Sequence, residues 1–183
     1  GTGAAIRRSN PDLAYVSRLV ASRHDDRVVY AAFDNHKSGD FRPHLLRSDN
    51  RGRTWKSIAG DLPVRGTVYS LAEDRLDSDL LFAGTEFGVY FTVDGGRRWV
   101  ELSGGLPTMQ VRDLVIQERE DDLVLGTFGR SFYVLDDYSA LRAVDDELLA
   151  IEEAGRPRQE LEGKSVDEVL SLLAGPPGSE VTV

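Results

Sequence analysis

The stretch Ser48-Asp49-Asn50-Arg51-Gly52-Arg53-Thr54-Trp55 returns 44 positions later as Thr92-Val93-Asp94-Gly95-Gly96-Arg97-Arg98-Trp99. At the same offset, Gly60-Asp61-Leu62-Pro63 returns as Gly104-Gly105-Leu106-Pro107. Self-similarity with a fixed period of this size indicates stacked supersecondary units of one kind. The repeat therefore decides the fold class before the rest of the sequence is considered.

Each unit contains short apolar and β-branched runs that are separated by charged or glycine-containing turns. Runs of about 4–8 residues with such boundaries are typical of antiparallel strands. Alternating runs open the three units at 15–21, 68–73 and 111–117. Four strands in about 40–45 residues match one blade of a β-propeller. We therefore predict an all-β partial β-propeller of about two and a half to three four-stranded blades.

The three units are not identical. The first has eight extra residues between Asp34 and Arg42, which puts its third strand at about 45–48. The third lacks the glycine and tryptophan of the repeated turn after Leu135, so we expect it to have three strands. A closed ring takes about 4–8 blades. The propeller would therefore have to be completed by missing blades or by association of copies, or one of its exposed faces would have to be covered by the C-terminal segment.

Every position of the repeated turn has a structural task. The residues concerned are Ser48, Asn50, Gly52 and Trp55 in the first copy and Thr92, Asp94, Gly96 and Trp99 in the second. We expect the Asx oxygen to accept backbone N–H groups, the glycine to supply a positive φ, and the tryptophan ring to pack beneath the turn. A calcium or sugar site is the alternative, but no set of nearby ligand groups supports a metal. We interpret the turn as a structural clip, with no metal and no cofactor.

The turn resembles the Asp-box, or bacterial neuraminidase repeat, S/T-x-D-x-G-x-T-W. Asn50 departs from the motif at its Asp position, and Arg98 departs at its Thr position. Segments 21–25, 81–89 and 126–137 are similar to the closing blades of large bacterial sortilin-like propeller proteins, which are often labelled glycosyl hydrolases. The resemblance spans about residues 11–144. It implies a propeller fold and an exported parent protein, in the periplasm, at the cell surface or secreted, and it implies no particular activity.

The C-terminal segment differs from the repeats. Residues 161–183 resemble the end of a PDZ domain of the kind found in C-terminal processing proteases. Ser165 and Glu168 form a capping-box pattern, and Gly175-Pro176-Pro177 ends the predicted helix. The strand beside which a PDZ domain binds peptide has no counterpart here. The alternative is a capped amphipathic helix and a strand with accidental similarity.

These patterns divide the chain into four parts. The parts are an N-terminal lead-in at 1–14, propeller blades at 15–144, an acidic helix or linker at 145–160, and the PDZ-like segment at 161–183.

The composition restricts the partners of this 183-residue chain. Its net charge of −9 argues against binding to nucleic acid, and no apolar run is long enough to span a membrane. No cysteine is present, and no signal peptide is recognisable.

Antiparallel alternation sorts the loops between two ends of the blades. Turns between first and second strands share one end with the repeated turns, where the acidic clusters are expected to be solvated. Loops between second and third strands share the other end with the blade-to-blade connections. There we expect a ligand-binding face formed by Asn35, His36, Phe87, Phe128 and Arg130.

The sequence favours binding over catalysis. A glycosidase needs two carboxylates about 5–10 Å apart, and Glu86 with Asp34 is the pair that we nominate. Our leading hypothesis is a non-catalytic module or scaffold that binds a protein or peptide, or less readily a glycan. The alternatives are part of a propeller glycoside hydrolase whose active site needs further blades, and a regulatory part of a PDZ-containing protease.

Overall fold

The fold consists of short strands. The computed structural model describes residues 14–102 and 105–144. The predicted linker and PDZ-like segment, residues 145–183, lie outside the described residues. The strands are β1 (Tyr15–Ala21), β2 (Val29–Asn35), β3 (Asp40–Ser48), β4 (Lys56–Ser57), β5 (Val68–Glu73), β6 (Leu81–Thr85), β7 (Val89–Thr92), β8 (Val100–Glu101), β9 (Val111–Gln117), β10 (Asp122–Thr127) and β11 (Phe132–Leu135).

Consecutive strands pair antiparallel and form three separate sheets. Blade 1 contains β1 to β4, blade 2 contains β5 to β8, and blade 3 contains β9 to β11. The first strand of blade 2, β5, contacts the first strands of both other blades, which places the first strands side by side at the inner edge of the stack. The predicted arrangement of two four-stranded units and one three-stranded unit is confirmed.

The insertion in blade 1 lengthens a hairpin. The sequence predicts the third strand at about 45–48, but β3 begins at Asp40, which pairs with Asn35 of β2. A short 3-10 turn, His36–Ser38, joins the two strands, and Gly39 follows it with a φ of 76°. The prediction of the strand start was wrong because the extra residues continue the β2–β3 ladder.

The apolar core lies between blades. Alternation along a strand sends side chains to both faces of each sheet, and each face is buried where another blade covers it. Every residue of β6 and β7 is buried, because blade 2 has a neighbour on each side. The first interface includes Tyr30, Leu45, Leu71, Leu81 and Trp99, and the second includes Phe82, Phe91, Leu114, Leu123 and Leu125.

The first copy of the repeated turn is held by two side chains. The Ser48 hydroxyl accepts a hydrogen bond from the Gly52 N–H at 2.8 Å. The amide oxygen of Asn50 accepts from the Thr54 N–H at 2.8 Å, and its amide nitrogen donates to the Thr54 hydroxyl at 2.8 Å. The carboxamide thus provides the acceptor oxygen that an aspartate would provide, so this copy keeps its hydrogen bonds despite the departure from the motif.

The second copy uses a carboxylate in the same place. The Thr92 hydroxyl accepts from the Gly96 N–H at 3.1 Å, and Asp94 Oδ1 accepts from the N–H groups of Arg97 and Arg98 at 2.8 and 3.0 Å. Burial raises the pKa of Asp94, but the Arg98 N–H, the Thr92 hydroxyl and the Arg97 N–H outweigh it, so the pKa lies below its ordinary value. The carboxylate therefore organises backbone donors of its own turn.

The two tryptophans of the repeat behave differently. The indole N–H of Trp55 donates to the Gly52 carbonyl of its own turn at 3.1 Å. Trp99 instead donates to the Ile58 carbonyl of blade 1 at 2.9 Å, and its backbone N–H donates to Asp61 Oδ1 at 2.7 Å. We expected both rings to pack beneath their own turns. For Trp99 the hydrogen-bond partner lies instead in blade 1, and the ring packs among the buried residues of the first interface.

We call the contacts of Trp99 with Ile58 and Asp61 the tryptophan clamp. The backbones of blades 1 and 2 lie close together beside it. A Cβ added to Gly96 would lie 2.7 Å from the Ile58 carbonyl oxygen, and one added to Gly60 would lie 2.4 Å from the Arg97 carbonyl oxygen. Both distances are too short for any side chain. The glycines of the repeated turn and of the following loop therefore allow blade 2 to sit directly on blade 1.

A polar cluster ties blade 3 to blade 2, where no repeated turn is available. After β11 the chain forms a 3-10 segment, Tyr138–Ala143, which packs into the second interface. The Arg142 guanidinium contacts Asp74 and Asp121, each at 2.7 Å, and the Tyr138 hydroxyl donates to Asp74 at 2.7 Å. We call Asp74, Asp121, Tyr138 and Arg142 the polar lock.

The carboxylates of the polar lock are held in their charged forms. Burial raises the pKa of Asp74, but hydrogen bonds from Arg142 and Tyr138 prevail and lower it to about 2. Arg142 likewise holds the pKa of Asp121 well below its ordinary range, with help from Arg75. The lock therefore depends on two ionised aspartates beside one guanidinium.

The tryptophan clamp gives a matched pair of variants. Trp99→Phe leaves the buried Ile58 carbonyl without its donor, so the free energy of unfolding should fall by about 1–3 kcal/mol. Trp55→Phe removes a bond within a half-exposed turn and should cost less than about 1 kcal/mol. Urea unfolding followed by far-UV circular dichroism measures both. Equal losses would show that Trp99 does not act between blades.

The polar lock should make the free energy of unfolding depend on pH in the acidic range. Because the pKa of Asp74 is lower in the folded chain than in the unfolded chain, its contribution is present above about pH 4 and is lost as the pH falls toward 2. Asp74→Asn should flatten the fall in unfolding free energy over this interval. Exposed Asp136 provides the control, since Asp136→Asn should keep the wild-type slope. An unchanged slope in Asp74→Asn would refute the assignment.

Candidate ligand site

The loops between second and third strands lie at the end opposite the repeated turns. In blades 2 and 3 this loop is tied to the segment that enters the first strand of the same blade. The Glu86 N–H donates to the Thr67 carbonyl and the Phe128 N–H donates to the Gln110 carbonyl, both at 3.0 Å. These bonds place the loop residues beside the starts of the inner strands.

Asp34 and His36 form a contact at this end of blade 1. Asp34 Oδ1 lies 2.5 Å from His36 Nδ1 and accepts a hydrogen bond from the His36 backbone N–H at 3.0 Å. The carboxyl group is largely buried, whereas the imidazole is exposed. A hollow of about 230 Å³ adjoins the pair, and Tyr15, Asn35, Lys37 and Ser38 complete its lining.

Asn35 is occupied within the hairpin. Its side-chain amide donates to Asp40 Oδ2 at 3.3 Å, and that carboxylate also contacts Arg42 and His44, each at 2.9 Å. The Arg42 hydrogen bonds in particular hold the pKa of Asp40 far below its ordinary range. The amide of this predicted ligand residue therefore supports the β2–β3 turn.

An arginine at this end lies against two aromatic rings. The Arg112 guanidinium carbon lies 3.9 Å from the centroid of the Tyr69 ring and 5.5 Å from that of the Phe128 ring. Gln110 fixes its orientation by accepting from Nε at 3.2 Å and from Nη2 at 2.8 Å. Because Phe128 is exposed, one side of the stack faces solvent.

The two carboxylates that the sequence nominated, Glu86 and Asp34, both raise the pKa of the Tyr69 hydroxyl. Burial raises the pKa of Tyr69, the nearby Arg112 charge opposes this, and the charges of Glu86 and Asp34 raise it further. Charged residues of all three blades thus act on Tyr69, and of these Arg112 contacts its ring. Glu86 and Asp34 thus both influence Tyr69, although they are far apart in the sequence.

Glu86 has an unused hydrogen-bonding atom. Its Oε2 is buried and has no hydrogen-bond partner among the described residues. The next residue, Phe87, exposes its ring, and Phe128 and Arg130 are exposed in the corresponding loop of blade 3. The predicted face therefore combines a buried carboxylate oxygen that no described residue satisfies with two aromatic side chains in solvent.

The sequence missed Tyr69 and Arg112. Both are the second residues of first strands, β5 and β9, and the period-2 alternation there signals only a buried or exposed face. The aligned positions of the two units would have marked them as neighbours. Nothing in the sequence of β5 or β9 predicts that the Arg112 guanidinium stacks on the Tyr69 ring.

The described parts of the chain contain no group of three or more His, Asp or Glu side chains placed to hold a metal ion. Within residues 14–102 and 105–144, no helix is long and apolar enough to cross a membrane.

Comparison with known proteins supports the fold. No protein-family model matches the sequence, and no curated protein matches it. Among solved structures, the GH74 xyloglucanase from Xanthomonas campestris has a TM-score of 0.53 and 20% identity over 78% of this chain and 24% of that chain. A GH74 enzyme from Niastella koreensis has a TM-score of 0.53 and 16% identity over 65% of this chain and 21% of that chain.

A third structure is the extracellular domain of a putative hybrid two-component system, BT4673, from B. thetaiotaomicron. Its TM-score is 0.52, with 16% identity over 70% of this chain and 16% of that chain. The chain thus spans less than a quarter of each of these three proteins. Likeness at this identity concerns the fold alone, and it establishes that this chain has the fold of a partial β-propeller.

Proposed function

We propose that this chain is a binding module of an exported β-propeller protein, and that its ligand is a peptide segment of another protein. The site is the end that contains Glu86, Phe87, Arg112 and Phe128. The single observation that carries the proposal is the buried, unpartnered Oε2 of Glu86 beside exposed aromatic rings. Glycan is the less favoured ligand of the same surface.

The chemistry of the site favours a basic and apolar peptide. A ligand ammonium or guanidinium group would complete the hydrogen bonding of Glu86 and meet the charge of Asp34. Its apolar neighbours would pack on Phe87 and Phe128, since exposed aromatic rings supply much of the energy of such contacts. The net charge of −9 also steers cationic ligands toward the chain.

Binding of short labelled peptides tests this proposal. Peptides with Lys or Arg between Leu residues should bind in fluorescence anisotropy titrations, and the same peptides with Glu in place of the base should not. Phe128→Ala and Glu86→Gln should each weaken binding by about tenfold or more. Leu76→Ala is the control, because Leu76 is an exposed apolar side chain in the β5–β6 turn, at the opposite end of the blades. Flat titrations with all basic peptides would refute the proposal.

A catalytic role is the second candidate, favoured by the charges of Glu86 and Asp34, which both raise the pKa of Tyr69. It predicts release of reducing sugar from soluble xyloglucan, lost in Glu86→Gln. That variant should keep or raise the unfolding free energy by up to about 1 kcal/mol, because Oε2 has no partner to lose. Glu73→Gln is the structural contrast. Its carboxylate accepts from Ser22, Arg23 and Tyr30, so about 1–3 kcal/mol should be lost. The absence of any release would remove this candidate.

The family assignments remain part of the proposal. The turn hydrogen bonds support an Asp-box propeller of the sortilin-like kind, with blades at 15–144 and a linker at 145–160. The extracellular domain among the similar structures supports export. A PDZ-like segment at 161–183, and with it a regulatory part in a protease, would need a free peptide C-terminus. Amidated peptides that bind as well as free ones would exclude that segment as the binding site.

A further inference from the structure

Arg112 is an exposed arginine that no described carboxylate neutralises. Its guanidinium donates from Nε and Nη2 to Gln110 Oε1, and it forms no ion pair among residues 14–102 and 105–144. Most of the described arginines do pair with a carboxylate, as Arg75 does with Asp121. The chain has 31 acidic and 22 basic residues, so a shortage of acids does not explain why Arg112 lacks one.

The orientation of this guanidinium is fixed before any ligand arrives. Its carbon lies 3.9 Å from the centroid of the buried Tyr69 ring, and the exposed Phe128 ring lies on it at 5.5 Å. Gln110 occupies the edge formed by Nε and Nη2. A guanidinium that is already oriented loses less conformational entropy on binding than a free arginine side chain.

The remaining edge of the guanidinium has the geometry of a carboxylate receptor. Nη1 and the second N–H of Nη2 donate to no described residue. These two donors form a planar fork, and the two oxygens of a carboxylate can accept from such a fork at the same time. The contacts with Gln110 and Tyr69 therefore leave free the edge that suits a carboxylate.

The neighbouring charges favour a carboxylate over a phosphate dianion. Burial raises the pKa of Tyr69, the charge of Arg112 opposes this, and the charges of Glu86 and Asp34 add to it. Charges of both signs thus act on one hydroxyl. A dianion at Arg112 would meet about twice the repulsion from the two acids that a carboxylate would meet.

We propose that Arg112 binds a carboxylate of the peptide ligand, so that the site prefers peptides that carry an acid close to their base. This inference rests on the proposed binding of a basic peptide, and it adds a second determinant to the same site. The base of the ligand meets Glu86, and the acid meets the free edge of Arg112. In an extended peptide, side chains two residues apart point the same way with about 6–7 Å between them, so both groups can face the site together.

Three labelled peptides test the preference on the 183-residue chain by fluorescence anisotropy. All three contain the same Lys between Leu residues. The first has Glu two positions after Lys and an amidated end, the second has Gln in place of Glu, and the third has Gln and a free C-terminal carboxylate. The first should bind about fivefold more tightly than the second. A gain in the third peptide alone would support the carboxylate site and assign it to a peptide terminus.

Two variants test the role of Arg112. Arg112→Gln removes the fork, so the preference for the Glu peptide over the Gln peptide should fall to about onefold. Gln110→Glu should have the same effect, because it places a carboxylate beside the guanidinium within the chain. Arg53→Gln is the matched control, since Arg53 is exposed in the first repeated turn at the opposite end, and this variant should keep the fivefold preference. Circular dichroism checks that each variant keeps its strand content.

The outcomes separate this inference from the proposed function. Equal affinities for all three peptides would overturn the carboxylate site and leave the binding of basic peptides intact. A preference for Glu that survives in Arg112→Gln would overturn the assignment to Arg112. If none of the three peptides binds, the proposed function and the inference both fail.

Discussion

Burial of one blade's face by the next is the constraint on which the structure depends. A single antiparallel sheet with apolar residues on both faces is not stable in water, and here the middle sheet gains a neighbour on each side. The Trp99 indole and the Asp61 carboxylate set how blade 2 sits on blade 1. Gly60 and Gly96 are required at the same place, since any side chain would separate the backbones. The repeated turn therefore works between blades as well as within one.

The contact between blades 2 and 3 is made in another way. The third unit lacks the turn and its tryptophan, and the segment after β11 turns into the interface instead. Tyr138 packs its ring edge-on against Phe82, with centroids 4.9 Å apart, and its hydroxyl reaches Asp74. Arg142 then joins Asp74 to Asp121. The polar lock and its apolar neighbours thus join blades 2 and 3, as the tryptophan clamp joins blades 1 and 2.

The two ends of the blades differ in how their polar groups are used. At the end with the repeated turns, Asn50 and Asp94 are committed to backbone donors of their own loops. At the opposite end, Glu86 keeps an oxygen without a partner, and Phe128 and Arg112 present a stacked surface to solvent. Unsatisfied polar groups beside exposed rings are costly to a fold alone, and this supports the proposal that a ligand binds at that end.

The period of the repeat determined the fold class and the number of strands in each unit, because strand pairing within a blade is local and follows from alternation and turn chemistry. The same reasoning placed the second-to-third loops at one end, from which Glu86 and Asp34 could be nominated. The sequence alone did not reveal the start of β3, the reach of Trp99 into blade 1, the polar lock, or the stacking of Arg112 on Tyr69. Those features join residues of different blades, so they depend on how one sheet packs against another. Only the tertiary structure decides that packing, because contacts between side chains that are distant in the sequence form only where one blade packs against another.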